Sequence, residues 1–326
     1  MDSCEYVVLI PIYDDWVSAR ELIVLLDGVF AGIGSCARVL LIDDGSHTAP
    51  VDYETLTLAA IRRVDTLRMR RNLGHQRAIC VGLCHVQASP DYASCRGVVI
   101  MDGDGEDQPA DVPRLIGRFR ELGEERVVFA ERRRRSEGVV FTAMYYLYRV
   151  AHRIATGIAV RVGNFSVVPM HLARRLAVVS EMWNHYAAAV VHARLPIDMV
   201  PTVRGTRLHG RSRMNFISLV GHGLSAMSVF SDRIGVRSLV VTMVMMLVLL
   251  LAFVATLAIR LLTTIAIPGW ASIVLGLIGV LLMQGLLLSA VFTFLIQLGR
   301  AGSSFLPARD YAWFIEGETP LRVADA

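Results

Sequence analysis

The stretch Val98-Val99-Ile100-Met101-Asp102-Gly103-Asp104-Gly105-Glu106-Asp107 passes from four apolar residues straight into alternating carboxylates and glycines. A short apolar run of this kind reads as a buried strand. If the strand geometry continued, residues 102, 104 and 106 would share one face, because side chains alternate with a period of two. Asp102, Asp104 and Glu106 are therefore expected to point at one spot beyond the strand end. Hard oxygen donors in such a cluster suit Mg²⁺ or Mn²⁺, and a cation of that kind commonly holds a diphosphate.

The pattern repeats on both sides of this stretch. Residues 7–12 read as a first strand, 39–42 as a second, 66–69 as a third, 97–101 as a fourth and 127–130 as a fifth. Between them lie helical patterns. Asp14 and Asp15 are placed to cap a helix running to about residue 30. Residues 53–63 read as a further helix. The segment Arg71-Asn72-Leu73-Gly74-His75-Gln76 leads into one that runs to about residue 86, and 112–122 into another. Strands that alternate with helices predict an α/β fold with a mostly parallel sheet covered on both faces. Ligands of such sheets sit beyond the carboxyl ends of the strands. The two acidic clusters, Asp43/Asp44 and Asp102/Asp104/Glu106, fall at two of those ends. Further along, 139–156 reads as a long helix, 165–168 as a strand and 171–179 as a helix.

The chain has 326 residues, 54% of them hydrophobic, which is high for a soluble enzyme of this length. The excess lies after Arg237. Residues 238–259 carry no charge, nor do 261–299, and roughly 20 apolar residues span a bilayer. Two membrane helices with a turn near 267–270 are expected. Residues 215–232 are amphipathic and suit either the membrane surface or the flank of the soluble domain. The domain plan is a catalytic domain over 1–214, a juxtamembrane helix over 215–236, two spans over 237–299 and a tail over 300–326.

The sequence contains no lysine; all of its basic residues are arginine except for the nine histidines. Arg204, Arg207, Arg211, Arg213, Arg233 and Arg237 precede the first apolar stretch, and Arg300 and Arg309 follow the second. The positive-inside rule places both flanks in the cytoplasm, making this a multi-pass protein of the cytoplasmic membrane. The amino-terminal residues lack the basic region of a signal peptide. A net charge of +4 does not indicate a nucleic-acid partner. Five cysteines in a cytoplasmic domain are expected to be reduced, with Cys80 and Cys84 as buried thiols rather than metal ligands.

Taken in order, these motifs resemble family 2 glycosyltransferases of the GT-A fold. The narrower resemblance is to the polyprenyl-phosphate glycosyltransferase group, which includes dolichyl-phosphate mannose synthase and bactoprenol glucosyltransferases. Ile10-Pro11-Ile12-Tyr13-Asp14-Asp15 is similar to the family's Pro-x-Tyr-Asn-Glu, with Asp15 in the place of Glu. Asp43-Asp44-Gly45-Ser46 is similar to Asp-Asp-Gly-Ser, and Arg71-Asn72-Leu73-Gly74-His75 to Arg-Asn-x-Gly-His/Lys. Asp102-Gly103-Asp104-Gly105-Glu106 is similar to Asp-Ala-Asp-Leu-Gln, with Glu106 replacing the Gln. Gly163-Asn164-Phe165 resembles an element beside the donor sugar in which Asp is commoner than Asn. Arg207-x-x-Gly210-x-Ser212-Arg213 resembles Arg-x-x-Gly-x-Ser-Lys.

The resemblance implies a nucleoside pocket formed by Pro11, Tyr13, Asp15, Asp43 and Asp44, with Arg71, Gly74 and Asn164 also on the donor side. It implies a metal site of Asp102, Asp104 and Glu106. The donor would be a uridine or guanosine diphosphate sugar and the acceptor a polyprenyl phosphate. A phosphate monoester is already charged near neutral pH, so it needs a basic cradle rather than a general base. Arg132, Arg135, Arg207 and Arg213 are the candidates, and direct displacement by the phosphate would invert the anomeric centre. A hydroxyl acceptor would instead need a carboxylate base, for which Glu181 is the candidate. A catalytically inert membrane scaffold is the third reading. Self-association is left open.

Overall fold

The structure is a computed structural model that describes residues 4–132, 153–154, 156–157, 163–210, 216–263, 269–301 and 305–323. Eight strands form one sheet in the order β7-β5-β6-β4-β1-β2-β3-β8. They are β1 Tyr6–Ile12, β2 Ala37–Asp43, β3 Ile61–Met69, β4 Gly97–Ile100, β5 Val127–Arg132, β6 Ser166–Pro169, β7 Ile197–Thr202 and β8 Ile315–Val323. The neighbours β4-β1-β2-β3 and β5-β7 pair in parallel, whereas β6 and β8 run antiparallel to theirs. The sheet is thus mostly parallel, as the alternation of elements implies.

Alternation along each strand divides the core in two. Val7, Leu9, Leu40, Ile42 and Leu67 pack on one face with α2 (His75–Ala88), α4 (Met170–Leu176) and α5 (Tyr186–His192). Tyr6, Val8, Ile10, Val39, Leu41 and Val64 pack on the other with α1 (Trp16–Gly32) and α3 (Val112–Glu121). The cysteines are all free, and Cys80 and Cys84 lie in the first of these cores.

Three sequence expectations need correction here. Residues 53–60 are not helical, and β3 begins at Ile61. Tyr53, Leu56, Ala60 and Ile61 are buried at a spacing that mimics a helix face. At the end of the segment the Asp27 carboxylate accepts the N–H groups of Ala59, Ala60 and Ile61 at 2.8–3.0 Å. Asp15 occupies the position before α1 but makes no side-chain capping bond. Asp14, at φ +55, instead accepts hydrogen bonds from the His47 and Thr48 N–H groups and the Thr48 hydroxyl. Finally, residues 315–323 are not a free tail: they form β8 on the open edge of β3. The long helix expected over 139–156 and the turn near 267 fall largely outside the described residues.

The return segment is held at several points. The Arg70 N–H donates to the Phe314 carbonyl at 2.9 Å, and Trp183 stacks with Phe305 and Phe314 at centroid distances of 4.0 and 4.9 Å. Glu318 lies 3.0 Å from His85 Nε2 and accepts from the Tyr92 hydroxyl at 3.2 Å. The bond to His85 is the main reason its carboxyl pKa stands below the ordinary glutamate value of 4.5. A depressed folded-state pKa stabilises above the ordinary value, and that contribution is lost as pH falls through the lowered one. Glu318→Gln is therefore expected to cost about 1 kcal/mol near neutral pH, discounted for solvent screening. Denaturation curves of the two proteins should converge below about pH 4; a constant gap down to acid pH would refute the ionic role.

By contact pattern the chain divides into two units, residues 1–146, 159–229 and 305–326 in one and 147–158 and 230–304 in the other. In the first, α6 (Phe216–Ser228) ends before Val229. The second contains α7 (Ser231–Leu262) and α8 (Trp270–Ala301), which pack against each other. The expected juxtamembrane helix over 215–236 is thus broken near residue 229, and its last part is continuous with the first apolar helix. Both α7 and α8 are long and apolar enough to cross a membrane, and only 11% of their most apolar windows is buried.

Candidate active site

The carboxyl ends of β1, β2 and β4 and the loop after β7 converge on one cleft. The loops after β1 and β2 interlock through Asp44 N–H to the Ile12 carbonyl (2.9 Å) and Asp14 N–H to Ser46 Oγ (2.8 Å). Tyr13 stands edge-on to His47 with centroids 5.9 Å apart. Pro11 lies within β1, and its carbonyl is close behind Gly103.

Asp43 and Asp44 end β2 with different partners. Asp43 Oδ1 accepts the Ser46 N–H at 2.8 Å, while Oδ2 lies 3.9 Å from Arg68. Asp44 accepts two backbone N–H groups, Leu73 at 2.7 Å and Gly74 at 2.8 Å, one on each oxygen. Burial raises the Asp44 pKa, against the pull of those two bonds. Asp44 therefore ties the second loop to the start of α2. Arg71 is exposed beside it, and Gly74, at φ +91, precedes the helix.

Past β4 the backbone turns, with Gly105 at φ +82, so strand alternation does not continue through residues 102–106. The three carboxylates consequently face three different bases. Asp102 Oδ1 lies 3.1 Å from His75 Nε2. Asp104 Oδ1 accepts the Glu106 N–H at 3.0 Å, and its Oδ2 lies 3.5 Å from Arg207. Glu106 pairs with the Arg204 guanidinium. Burial raises the Asp104 pKa, with Asp102 and Glu106 adding to it. Desolvation works against the charge on His75, but Asp102, Asp107 and Asp104 outweigh it, and the imidazole pKa stands above its usual value. Among the described residues, no three His, Cys, Asp or Glu side chains converge as a metal cage.

Arg207 joins the first loop to the third. Its guanidinium lies 3.3 Å from Asp15 and 3.5 Å from Asp104. The Gly205 and Leu208 N–H groups donate to the carbonyls of Glu106 and Asp104 at 2.8 and 2.9 Å, clamping the loop onto the acidic turn. Asn164 is linked to both Gln76 and His75. Glu181 sits elsewhere, 3.6 Å from His192. Arg132 ends β5, but its side chain lies outside the described residues, as do Arg135 and Arg213 in full.

Sequence reading left four of these groups out of the site. Asp107 was visible in the acidic stretch; it is buried and accepts the Asp102 N–H at 3.0 Å. His75 and Gln76 lie within a motif already noted, and Arg204 is three residues before Arg207, a spacing that gave it no role until the loop folded over the acidic turn.

The sequence model of the family described as Glycosyl transferase family 2 matches residues 7–177. An uncharacterized glycosyltransferase of Bacillus subtilis (strain 168) is 23% identical over 273 residues, covering 83% of this chain and 82% of the relative. An undecaprenyl-phosphate 4-deoxy-4-formamido-L-arabinose transferase of Klebsiella pneumoniae subsp. pneumoniae is 27% identical over 222 residues, 65% of this chain and 63% of that protein. Among solved structures, glucosyl-3-phosphoglycerate synthase from Mycobacterium tuberculosis, in complex with Mn²⁺, uridine-diphosphate-glucose and phosphoglyceric acid, overlays with a TM-score of 0.48. It is 16% identical, over 71% of this chain and 80% of that one. Since the family match takes in more than half of the chain, including every acidic loop of the cleft, the protein belongs to glycosyl transferase family 2 and is a glycosyltransferase.

Proposed function

We propose that this enzyme transfers a sugar, with inversion, from a nucleoside diphosphate sugar to a polyprenyl phosphate of the undecaprenyl type at the cytoplasmic face of the membrane. The observation that carries the reading is Arg207, set between Asp15 of the first loop and Asp104 of the acidic turn. It is a planar, permanently charged donor set suited to phosphate, poised where donor and acceptor phosphates would meet.

The residues present fit a divalent cation. Asp102 and Asp104 offer hard oxygen donors from one turn, and both are partly exposed to the cleft. Mg²⁺ is usually held by only one or two carboxylates, with substrate phosphates and water completing the shell. We assign Asp102 and Asp104 as the ligands, with Glu106 joined to the site through Arg204. The cation would neutralise charge on the departing diphosphate. Tyr13, Pro11 and Asp43 would line the nucleoside pocket, with Asp44 and Gly74 shaping its floor and Arg71 at its rim. Arg132, Arg135, Arg207 and Arg213 would cradle the lipid phosphate, whose own charge makes a general base unnecessary. Glu181, paired with His192, is not needed as one.

The hairpin supports the lipid acceptor. The chain leaves the sheet-bearing unit before α7 and returns to it from Phe305 onward, which suits the reading that α7 and α8 form a membrane hairpin. The relative from Klebsiella pneumoniae bears an undecaprenyl-phosphate transferase name, which favours the same acceptor class. The test is full-length protein in membranes, given labelled uridine and guanosine diphosphate sugars with undecaprenyl phosphate. A mild-acid-labile lipid product is expected, abolished by EDTA and restored by Mg²⁺ or Mn²⁺. Label appearing only in a water-soluble product, or turnover indifferent to chelator, would refute the acceptor or the cation respectively.

A further inference from the structure

Helix α8 carries two stripes along its length. Among its described residues the buried ones are Ala271, Ile278 and Gly285, seven residues apart. Gly285 sits against α7, where the Met246 side chain fills the space a Cβ would take. The other stripe faces outward. Leu277, Val280, Leu281, Leu287, Leu288 and Val291 are all exposed, and all are plain aliphatics. They stand three, four and seven residues to either side of Gln284, which puts Gln284 at the centre of their face. Gln284 is exposed as well, and among the described residues its carboxamide makes no hydrogen bond.

An unpaired amide at that depth conflicts with a lipid-facing surface. The apolar stretch runs from Trp270 to Leu295, with Gln284 14 residues from one end and 11 from the other. These are about 21 and 16 Å along the axis, so the short side chain reaches neither edge of a hydrocarbon core roughly 30 Å thick. Nothing in that core replaces water as a hydrogen-bond partner, and an unsatisfied amide there is costly. The partner has to come from another helix. Two copies of this chain enter the membrane the same way round, so Gln284 lies at one depth in both. A carboxamide has donors and acceptors together. Two of them across a two-fold axis complete each other without any further residue. The stripe around Gln284 holds no charge and no second polar group for an unlike partner to match.

We propose that α8 pairs with α8 of a second copy of this chain, with Gln284 hydrogen-bonded to its counterpart and the aliphatic stripe forming the seam. A single polar residue in an apolar seam fixes register and the number of helices. The pairing rests on the reading of α8 as a membrane span.

The experiment uses the full-length protein in phospholipid vesicles. Alkaline carbonate should leave the chain in the membrane pellet; release into the supernatant would refute the span, and the pairing with it. Resonance energy transfer between donor- and acceptor-labelled copies, diluted stepwise with lipid, reads the association constant. Gln284→Leu is expected to weaken association about tenfold, whereas Gln284→Asn, which keeps the carboxamide, stays within about threefold of the wild type. In native membranes, oxidant should join Leu288→Cys into a product of twice the chain's mass, above the background of the native thiols. Leu286→Cys is also exposed but lies about 200° around the helix from Gln284, and should not be joined. A chain retained in the pellet yet monomeric at every dilution overturns the pairing and leaves the span intact. So does association unchanged in Gln284→Leu, or equal joining at positions 286 and 288. A joined product of any other mass identifies a foreign partner and also overturns the proposal.

Discussion

Asp104→Asn is expected to lower turnover by about two to three orders of magnitude while the folded protein loses no stability. The reasoning is local. Asp104 is half-buried, and burial raises its pKa, so its charge is held in the folded state at a cost. An asparagine keeps the Oδ1 that accepts the Glu106 N–H and removes that cost. It also removes the charge that faces Arg207 and would face a cation. Initial rates at saturating donor, with thermal unfolding on the same preparation, measure both effects. Wild-type turnover would sink the assignment of Asp104 to the reaction. A steep fall in stability would show that its role is structural.

Gly45→Ala should destabilise the catalytic unit by about 2–4 kcal/mol and weaken nucleotide binding with it. Gly45 has φ +75, which an alanine adopts only under strain. The space is also closed: a Cβ there would lie 2.8 Å from Asn72 N and 2.9 Å from the Arg71 carbonyl carbon, both of them main chain. The loop that would have to move carries the Leu73 and Gly74 N–H groups held by Asp44. Gly34 is the control. It has φ +64 with nothing near its Cβ position, so Gly34→Ala isolates the dihedral cost at about 1 kcal/mol. Equal losses from the two substitutions, read from denaturant midpoints, would rule out the backbone overlap as the cause.

The sheet was legible because buried parallel strands read as short apolar runs, and because Asp43 and Asp102 mark where two of them end. The 53–63 segment misled because packing against α1 sets apolar residues at a helical spacing without helical hydrogen bonds; the acceptor, Asp27, lies more than thirty residues away. Convergence of Asp102, Asp104 and Glu106 was argued from strand geometry, which the turn at Gly105 ends. The pairing of Glu106 with Arg204 depends on a loop from the far side of the sheet, and no local pattern announces such a contact. β8 was illegible for a related reason. It contains Gly317 and Pro320, is largely exposed, and owes its form to β3. A proline is tolerated there because the strand lies at the sheet edge.

That last strand also bears on the order of synthesis. β3 is among the first strands made, yet the strand that covers its edge is the last element of the described chain. Until the ribosome has delivered both apolar helices, β3 stays an open edge of the kind on which other chains pair and aggregate. Truncation after α8 should therefore appear first as an insoluble product and only secondarily as a slow enzyme.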